Sequence, residues 1–333
     1  MTATVNKPAV LVTGGAGYVG SHVCKALARA GYVPVTYDNL ATGHRWAVQW
    51  GPLEEGDVRD SNRIETVLRR YRATAVLHFA ALSLVGASAK QPFDYYDVNV
   101  NGALSLTHAM RQTGLRKLVF SSTCAVYGMP ERMPIVEDAP TLPVNVYGRT
   151  KLAAENLFSD LARAGEIDVV MLRYFNACGA DRDGEIGEAH DPESHLIPLA
   201  IQAAMGQGGP LSLFGTDYPT PDGTCLRDYI HVEDLAEAHL KALKLLDSTA
   251  GAQAFNLGTG IGVSVREVLA AVGKLAGNPV PVIEGPRREG DAPQLYASPG
   301  KAERELGWRA AQTSIESMVG SAINWHRKAR SAA

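Results

Sequence analysis

AVLVTGGAGYVGSH, residues 9–22, runs a short apolar, β-branched stretch into a glycine-rich turn and then into a helix-forming segment. Gly15, Gly17 and Gly20 satisfy GxGxxG, and Gly14, Gly17 and Gly20 satisfy GxxGxxG. Tyr18 and Val19 lie within the motif, where the helix starts. Glycines at this spacing allow a tight turn and let a pyrophosphate approach the backbone, while the following helix offers its N-terminal dipole. Glycine packing alone would account for the turn. It would not account for Asp38, which ends the next apolar run (VPVTYD, 33–38) twenty-one residues after Gly17. A carboxylate there accepts hydrogen bonds from both adenosine ribose hydroxyls and repels a 2′-phosphate, so the pattern predicts NAD rather than NADP.

The pattern continues outward. Further β-rich runs (AVLHFA at 75–80, KLVFSS at 117–122, VVMLRYFN at 169–176) alternate with helical stretches at 18–31, 61–71 and 94–114. This alternation predicts an α/β fold with a Rossmann-type doubly wound parallel sheet. After Asn176, segments 177–194 and 206–227 read as Gly-, Pro- and acid-rich loops around a short helix at 196–205. A helix at 231–246 and a strand at 254–258 return to the sheet, and helices at 264–276 and 314–328 complete a smaller domain. The predicted division is a nucleotide-binding domain over 1–178 with 231–258 returning to it, and a substrate domain over 179–230 and 259–333.

Bulk properties exclude several classes. Of 333 residues, 46% are hydrophobic and 20% charged, as in ordinary globular proteins. A net charge of −3 gives no electrostatic case for nucleic acid or an anionic membrane. No apolar run approaches the roughly 18 residues of a membrane span, and the N-terminus lacks a signal-peptide pattern. The four cysteines, Cys24, Cys124, Cys178 and Cys225, are scattered singly, which fits small apolar packing in a reducing cytosol. The histidines show no HxxxH or HExxH grouping, so no protein-bound metal is expected.

VNVYGRTKLAAEN, residues 144–156, places Tyr147 four residues before Lys151 on one helix face. A phenol with a reference pKa near 10 is a poor base. A neighbouring ammonium and an oxidised nicotinamide favour the phenolate, and a drop of about three pKa units takes roughly 4 kcal/mol. The phenolate then removes a substrate hydroxyl proton while hydride leaves the same carbon. FSSTC at 120–124 supplies Ser121, Ser122 and Thr123 at a strand end, and Thr123 is the candidate third member. At least one of these hydroxyls is expected only to satisfy loose backbone groups.

Together these residues resemble the extended short-chain dehydrogenase/reductase superfamily and, within it, the UDP-glucose 4-epimerases. The resemblance covers nearly the whole chain: TGGAGYVGSH (13–22), YDNLATGH (37–44), GDVRD (56–60), HFAAL (78–82), VNVNG (98–102), FSSTCAVYG (120–128), YGRTK (147–151), LRYFNACGAD (172–181), FGTDYPTPDGTCLRDYIHVEDLA (214–236), FNLGTG (255–260) and RREGD (287–291). It implies that Thr123, Tyr147 and Lys151 form the catalytic trio. It implies cofactor contacts at Gly14, Gly17, Tyr18, Val19, Gly20, Asp38, Asn39, Asp57, Val58, Phe79, Ala80, Asn99, Ser121 and Tyr174, besides Tyr147 and Lys151. It places a UDP-sugar cleft at Thr123, Asn176, His195, Leu196, Phe214, Arg227, Tyr229, Arg288 and Asp291. The implied reaction oxidises sugar carbon 4, turns the 4-keto sugar over and returns hydride to its opposite face. NAD, regenerated each turnover, is expected to stay bound.

Three positions depart from the family pattern. Ser83 replaces a lysine of some members, His195 a UDP-binding asparagine, and Leu295, beside Tyr296, a tyrosine near the sugar. They bear on the sugar accepted: UDP-glucose and UDP-galactose by default, UDP-xylose, UDP-arabinose or N-acetylated sugars as alternatives. A sugar 4,6-dehydratase is disfavoured because Cys124 and Ala125 stand where such relatives carry Asp-Glu, and a non-catalytic dinucleotide-sensing scaffold because the trio is intact. The resemblance also implies a cytoplasmic homodimer packing the helices at 94–114 and 147–164.

Overall fold

A computed structural model of the chain describes residues 7–288 and 290–331. In chain order the elements begin β1 (Ala9–Thr13), α1 (Tyr18–Arg29), β2 (Val33–Asp38), β3 (Leu53–Glu55), α2 (Ser61–Tyr71), β4 (Ala75–His78), α3 (Val85–Ser88), α4 (Pro92–Tyr96), α5 (Gly102–Thr113), β5 (Lys117–Thr123) and α6 (Val146–Arg163). They continue with β6 (Asp168–Tyr174), β7 (Asn176–Cys178), α7 (Leu196–Ala204), β8 (Leu211–Phe214), β9 (Leu226–Arg227), β10 (Tyr229–His231), α8 (Val232–Leu245) and β11 (Ala252–Leu257). The last are β12 (Val263–Ser264), α9 (Val265–Ala276), β13 (Val282–Gly285), β14 (Gln294–Leu295) and α10 (Ile315–Ser331).

The main sheet has the order β11-β6-β5-β4-β1-β2-β3. The pairs β1–β2, β1–β4, β2–β3 and β4–β5 are parallel. All five residues of β1 are buried, as a parallel strand covered on both faces requires. Strand order reverses between β1 and β4, the topological switch point where such sheets bind ligands at their carboxyl ends. The Rossmann-type fold read from the alternation is the fold observed.

Two compact units form: one holds the chain through Ser122 with Val146–Leu172 and Ala236–Ala254, the other Thr123–Asn145, Arg173–Leu235 and the chain from Phe255. The first has a core of Leu11, Val35, Val76, Leu106, Phe120 and Phe158. The second packs Ile197, Ile201, Val268, Val272, Val319 and Ile323. Helix ends are chemically marked. Asp60 accepts from Arg63 N at 2.9 Å to start α2, and Ser264 and Glu267 close a capping box on α9.

Two expectations are corrected. The helix read at 94–114 is α4 and α5 joined by a π-helical turn over Asp97–Asn101, which seats buried Asn99 within it. Segment 206–227, read as loops, contains β8 and β9, which pair with β13 and with β12 and β14. Strands of two to four residues are shorter than any detectable periodicity.

Candidate active site

The first unit builds a cradle at the carboxyl ends of β1 and β4. Gly14 has φ +72°, and a Cβ on it would lie 2.6 Å from Ala80 N, so only glycine fits. A Cβ on Gly20 would strike the Gly14 carbonyl. Gly17 is different: its φ is −82°, and a Cβ would meet nothing nearer than Gly14 O at 3.3 Å. Its φ is one any residue adopts and the 3.3 Å approach to the Gly14 carbonyl is tight rather than a hard clash, so the protein's own demand for glycine is weaker here than at Gly14 or Gly20. Gly17 caps α1 without a side-chain hydrogen bond, and Tyr18 and Val19 begin the first turn. The N-terminal end of α1, with its positive dipole end, faces the turn formed by Gly14–Gly17.

Beside the cradle, Asp38 is buried and fixed: its Oδ2 accepts from Ala16 N at 3.0 Å and its Oδ1 from Leu40 N at 2.8 Å. Burial raises its pKa, and the two backbone donors oppose this. Each oxygen retains acceptor capacity for a ribose hydroxyl. Asp57 is held by Arg59 through Nε at 2.8 Å and Nη2 at 2.7 Å, and these bonds bring its carboxyl down to about 2. Asn39 reaches the same carboxylate at 3.4 Å, and Val58 packs where a Cβ on Gly102 would otherwise lie. Backbone N–H groups of Phe79 and Ala80 both donate to Thr13 O, pinning the end of β4 to that of β1. Asn99, expected as a cofactor contact, engages its amide within the protein. It accepts from Leu82 N at 2.8 Å and donates to Leu82 O at 3.0 Å and Thr150 Oγ1 at 2.9 Å. It clasps the loop after β4 to α6.

Tyr147 and Lys151 lie one turn apart on α6. Tyr147 is half-buried. Lys151 is buried with its Nζ 4.2 Å from the Phe120 ring centroid. Burial pushes the ammonium down to about 7, and Glu155 opposes the fall. Glu155, one turn further on and also buried, accepts from Ser122 Oγ at 2.5 Å. Beneath them His78 is fully buried, its Nδ1 2.7 Å from Thr13 Oγ1, and desolvation followed by the Lys151 charge drives it down to about 3. The stripe 147, 151, 155 therefore pairs a phenol, a lysine poised near neutrality and a carboxylate that supports the lysine's charge. Sequence reading missed Glu155 and His78, although the four-residue repeat from Tyr147 onward was visible. Ser121 is buried at the end of β5.

In the second unit, Thr123 Oγ1 accepts from Ala125 N at 3.1 Å and caps the 3₁₀ turn Cys124–Tyr127, leaving its O–H proton to donate elsewhere. Tyr174 is half-buried at the end of β6, and Asn176 has an exposed side chain at the start of β7. Arg227 on β9 forms an ion pair with Asp291 and donates to Ala292 O at 2.9 Å. Leu295 sits beside Arg227 in the parallel register of β14 on β9. The Arg288 guanidinium lies 4.1 Å from the Phe214 ring centroid, a cation–π contact between two expected cleft residues. Tyr229 is buried, and burial raises its hydroxyl pKa. His195 precedes α7, which begins at Leu196, and its Nδ1 hydrogen bonds to Glu188.

Asp228, also missed, organises this half. Its Oδ1 accepts from Thr259 N and Oγ1 at 2.8 and 2.7 Å, and its Oδ2 from Gly260 N and Ala297 N at 3.0 Å. Four donors compensate a fully buried carboxylate and tie RDYIH to FNLGTG. The HxxxH and HExxH templates also passed over a grouping of Glu188, His190, Glu193 and His195.

A model of the NAD dependent epimerase/dehydratase family matches residues 10–258. A UDP-glucose 4-epimerase of Rhizobium leguminosarum bv. trifolii is 50% identical over 319 residues, covering 96% of this chain and 97% of its own. The crystal structure of UDP-glucose 4-epimerase from Brucella ovis in complex with NAD is 50% identical with a TM-score of 0.93, covering 96% of this chain and 98% of its own. That from Bifidobacterium longum in complex with NAD+ and UDP is 39% identical with a TM-score of 0.92, over 96% and 98% of the two chains. A family match over most of the chain, joined to full-length likeness on this order of identity, places the chain in the NAD dependent epimerase/dehydratase family.

Proposed function

We propose that the chain is a UDP-glucose 4-epimerase that interconverts UDP-glucose and UDP-galactose with NAD as its resident cofactor. The observation that carries this reading is the stripe of half-buried Tyr147 and buried Lys151 and Glu155 in the unit that also holds the glycine cradle around Gly17. Residues of that cradle fit the cofactor: Gly14, Gly17 and Gly20 shape the turn, α1 presents its N–H groups to a pyrophosphate, and Asp38 is fixed to receive a ribose. NAD held there supplies a reversible acceptor for the hydrogen on sugar carbon 4.

The protein's own part is proton movement and grip. Tyr147 takes the proton of the sugar 4-hydroxyl and later returns it. Lys151 stabilises the phenolate, Glu155 keeps Lys151 charged, and the Thr123 hydroxyl donates to the same sugar oxygen. Inversion requires the 4-keto sugar to present its other face, so the diphosphate must be gripped and the sugar left loose. Arg227 and Arg288 suit the grip, since guanidinium forks match phosphate oxygens. Elimination, as in a dehydratase, would need an acid after Thr123, and burial pushes the Cys124 thiol up to about 12.

On this reading the first unit binds the dinucleotide and the second the nucleotide sugar. We also propose a cytoplasmic homodimer. No helix of the described residues is long and apolar enough to cross a membrane. Phe93 is 79% exposed and Leu104 53%, with Val85 and Tyr96 also exposed, so the α3–α5 segment offers an apolar surface for a second copy. Light scattering at micromolar chain tests the dimer. Purified protein given UDP-galactose tests the activity: UDP-glucose supports it, whereas a dehydrated ketosugar or no product refutes it.

A further inference from the structure

The loop between β7 and α7 contains GEAHDPESHL, in which the triplet Glu-x-His occurs twice, at 188–190 and 193–195. The fold closes the two copies on each other. Glu188, His190, Glu193 and His195 each offer one ligand atom, and the four atoms lie within 4.8 Å of one another. His190 Nδ1 is 3.3 Å from Glu188 Oε1 and 3.7 Å from Glu193 Oε1, and His195 Nδ1 is 3.9 Å from Glu193 Oε1. A fourth edge, His195 to Glu188, is closed by a hydrogen bond. Nitrogen and oxygen ligands held about 2.0–2.2 Å from a tetrahedral Zn²⁺ stand about 3.3–3.6 Å apart. Two of the three measured edges fall close to that spacing, and the third is slightly wider.

Burial and support point the same way. The Glu188 and Glu193 side chains are only 6% and 7% exposed, so two negative charges sit away from water and require a counter-charge. The imidazoles are more open, at 24% for His190 and 50% for His195, which leaves a path for entry. Their rings meet edge to face at 82°, with both Nδ1 atoms turned toward the carboxylates instead of stacking. The backbone beneath is braced. Trp325 on α10 occupies the space a Gly187 side chain would need, and its Nε1 donates to Glu188 O at 3.2 Å. Glu193 Oε1 accepts from the backbone N of Ser194 and His195 at 2.7 and 2.9 Å.

We infer that Glu188, His190, Glu193 and His195 form a binding site for a divalent transition-metal cation, with Zn²⁺ the ion they suit best. Two imidazoles and two carboxylates match borderline cations, whereas Ca²⁺ and Mg²⁺ prefer oxygen alone. Four protein ligands close the coordination shell, so the ion is structural and fixes the loop that leads into α7. The nearby group Asp181, Asp183 and Glu185 is purely acidic and is no part of this site.

Untagged protein is stripped with a chelator, dialysed, and titrated with Zn²⁺ by calorimetry and with Co²⁺ by visible absorption. Wild type is expected to bind one equivalent of Zn²⁺ with a Kd on the order of micromolar or tighter, and Co²⁺ to give the intense bands of tetrahedral nitrogen–oxygen coordination. Glu193→Gln and His190→Gln, confirmed folded by circular dichroism, are expected to weaken Zn²⁺ by at least about thirtyfold and to abolish those bands. Absence of uptake would show that the four side chains close on one another as paired ions and would overturn the inference. Equal uptake by wild type and both variants would overturn it by placing the cation elsewhere. Should both variants fail to fold, the wild-type Co²⁺ spectrum decides: weak octahedral bands or thiolate charge-transfer bands overturn the site.

Discussion

Replacing Glu155 by glutamine tests the central stripe most directly. The carboxylate is buried one turn beyond Lys151 and raises the lysine's hold on its proton against desolvation. Two unit charges about 6 Å apart in a medium of effective dielectric near 20 interact by about 3 kcal/mol. Removing that support lowers the proton affinity of Lys151 by roughly a further hundredfold. The pair Tyr147 and Lys151, holding one proton between them, then shifts from phenolate and ammonium toward phenol and amine. Because Lys151 is held at about 7, the loss of its ammonium form grows as pH rises through neutrality. Glu155→Gln is therefore expected to reduce kcat by about 10-fold near pH 6 and by about 100-fold near pH 8, with KM for the nucleotide sugar nearly unchanged. Ser122→Ala removes a hydrogen bond but no charge, and its kcat is expected to fall less than about fivefold. The assay is UDP-galactose turnover at several pH values, with circular dichroism confirming that each variant is folded at the assay temperature. A Glu155→Gln enzyme within threefold of wild type, or one whose loss vanishes at either end of the pH range, would refute the assignment.

Four further outcomes follow from other parts of the structure. Gly17→Ala meets no protein atom nearer than 3.3 Å, so stability should hold within about 1 kcal/mol while nucleotide released on denaturation falls at least tenfold; unchanged nucleotide content would mean that no ligand approaches Gly17. His78 titrates at about 3 in the fold against about 6.5 unfolded, so the unfolded chain binds more protons between those values, and stability falls as pH drops through that window. The contribution is about 1.4 kcal/mol per pH unit, and His78→Asn should show a correspondingly flatter profile of urea-unfolding stability from pH 6.5 to 5; parallel profiles would refute it. Arg227→Ala should raise KM for the nucleotide sugar tenfold or more, for a charged hydrogen bond worth about 1.5–3 kcal/mol, and slow kcat less; unchanged binding would remove Arg227 from the diphosphate grip. UDP-N-acetylglucosamine should be at least tenfold poorer than UDP-glucose in kcat/KM, about 1.4 kcal/mol, with Leu295→Gly narrowing the gap; equal rates in the unmodified enzyme would show that Leu295 is no gate.

What the sequence disclosed follows the length scale of each signal. β1, the glycine turn and Asp38 were legible because strand, turn and carboxylate are contiguous or separated by one helix, and their spacing is set locally. Tyr147 and Lys151 were legible for the same reason, since one helical turn is written directly in the chain. Glu155 extends that register by one more turn, yet a glutamate on a helix ordinarily reads as a solvated face. Only the packing of α6 shows it buried, with Ser122 Oγ bonded to its carboxylate. Asn99 is a different case. Its position in VNVNG was legible, but its amide is engaged by Leu82 and Thr150 because a π-helical turn seats it there, and no side-chain pattern marks a ladder shifted by one residue.

Asp228 and the Glu188–His195 loop lie further beyond the reach of periodicity. Each consists of ionisable side chains outside long regular elements, brought together by contacts that sequence spacing does not encode. A buried carboxylate is costly unless its lone pairs are filled. Asp228 meets that demand with four donors drawn from residues 259, 260 and 297. Glu188 and Glu193 lie beside two imidazoles five residues apart, a spacing that a helical HxxxH template rejects but a folded loop accommodates. The useful search in such segments is therefore not for a period but for more acids and histidines than an exposed loop needs, followed by asking which of them the fold hides from water.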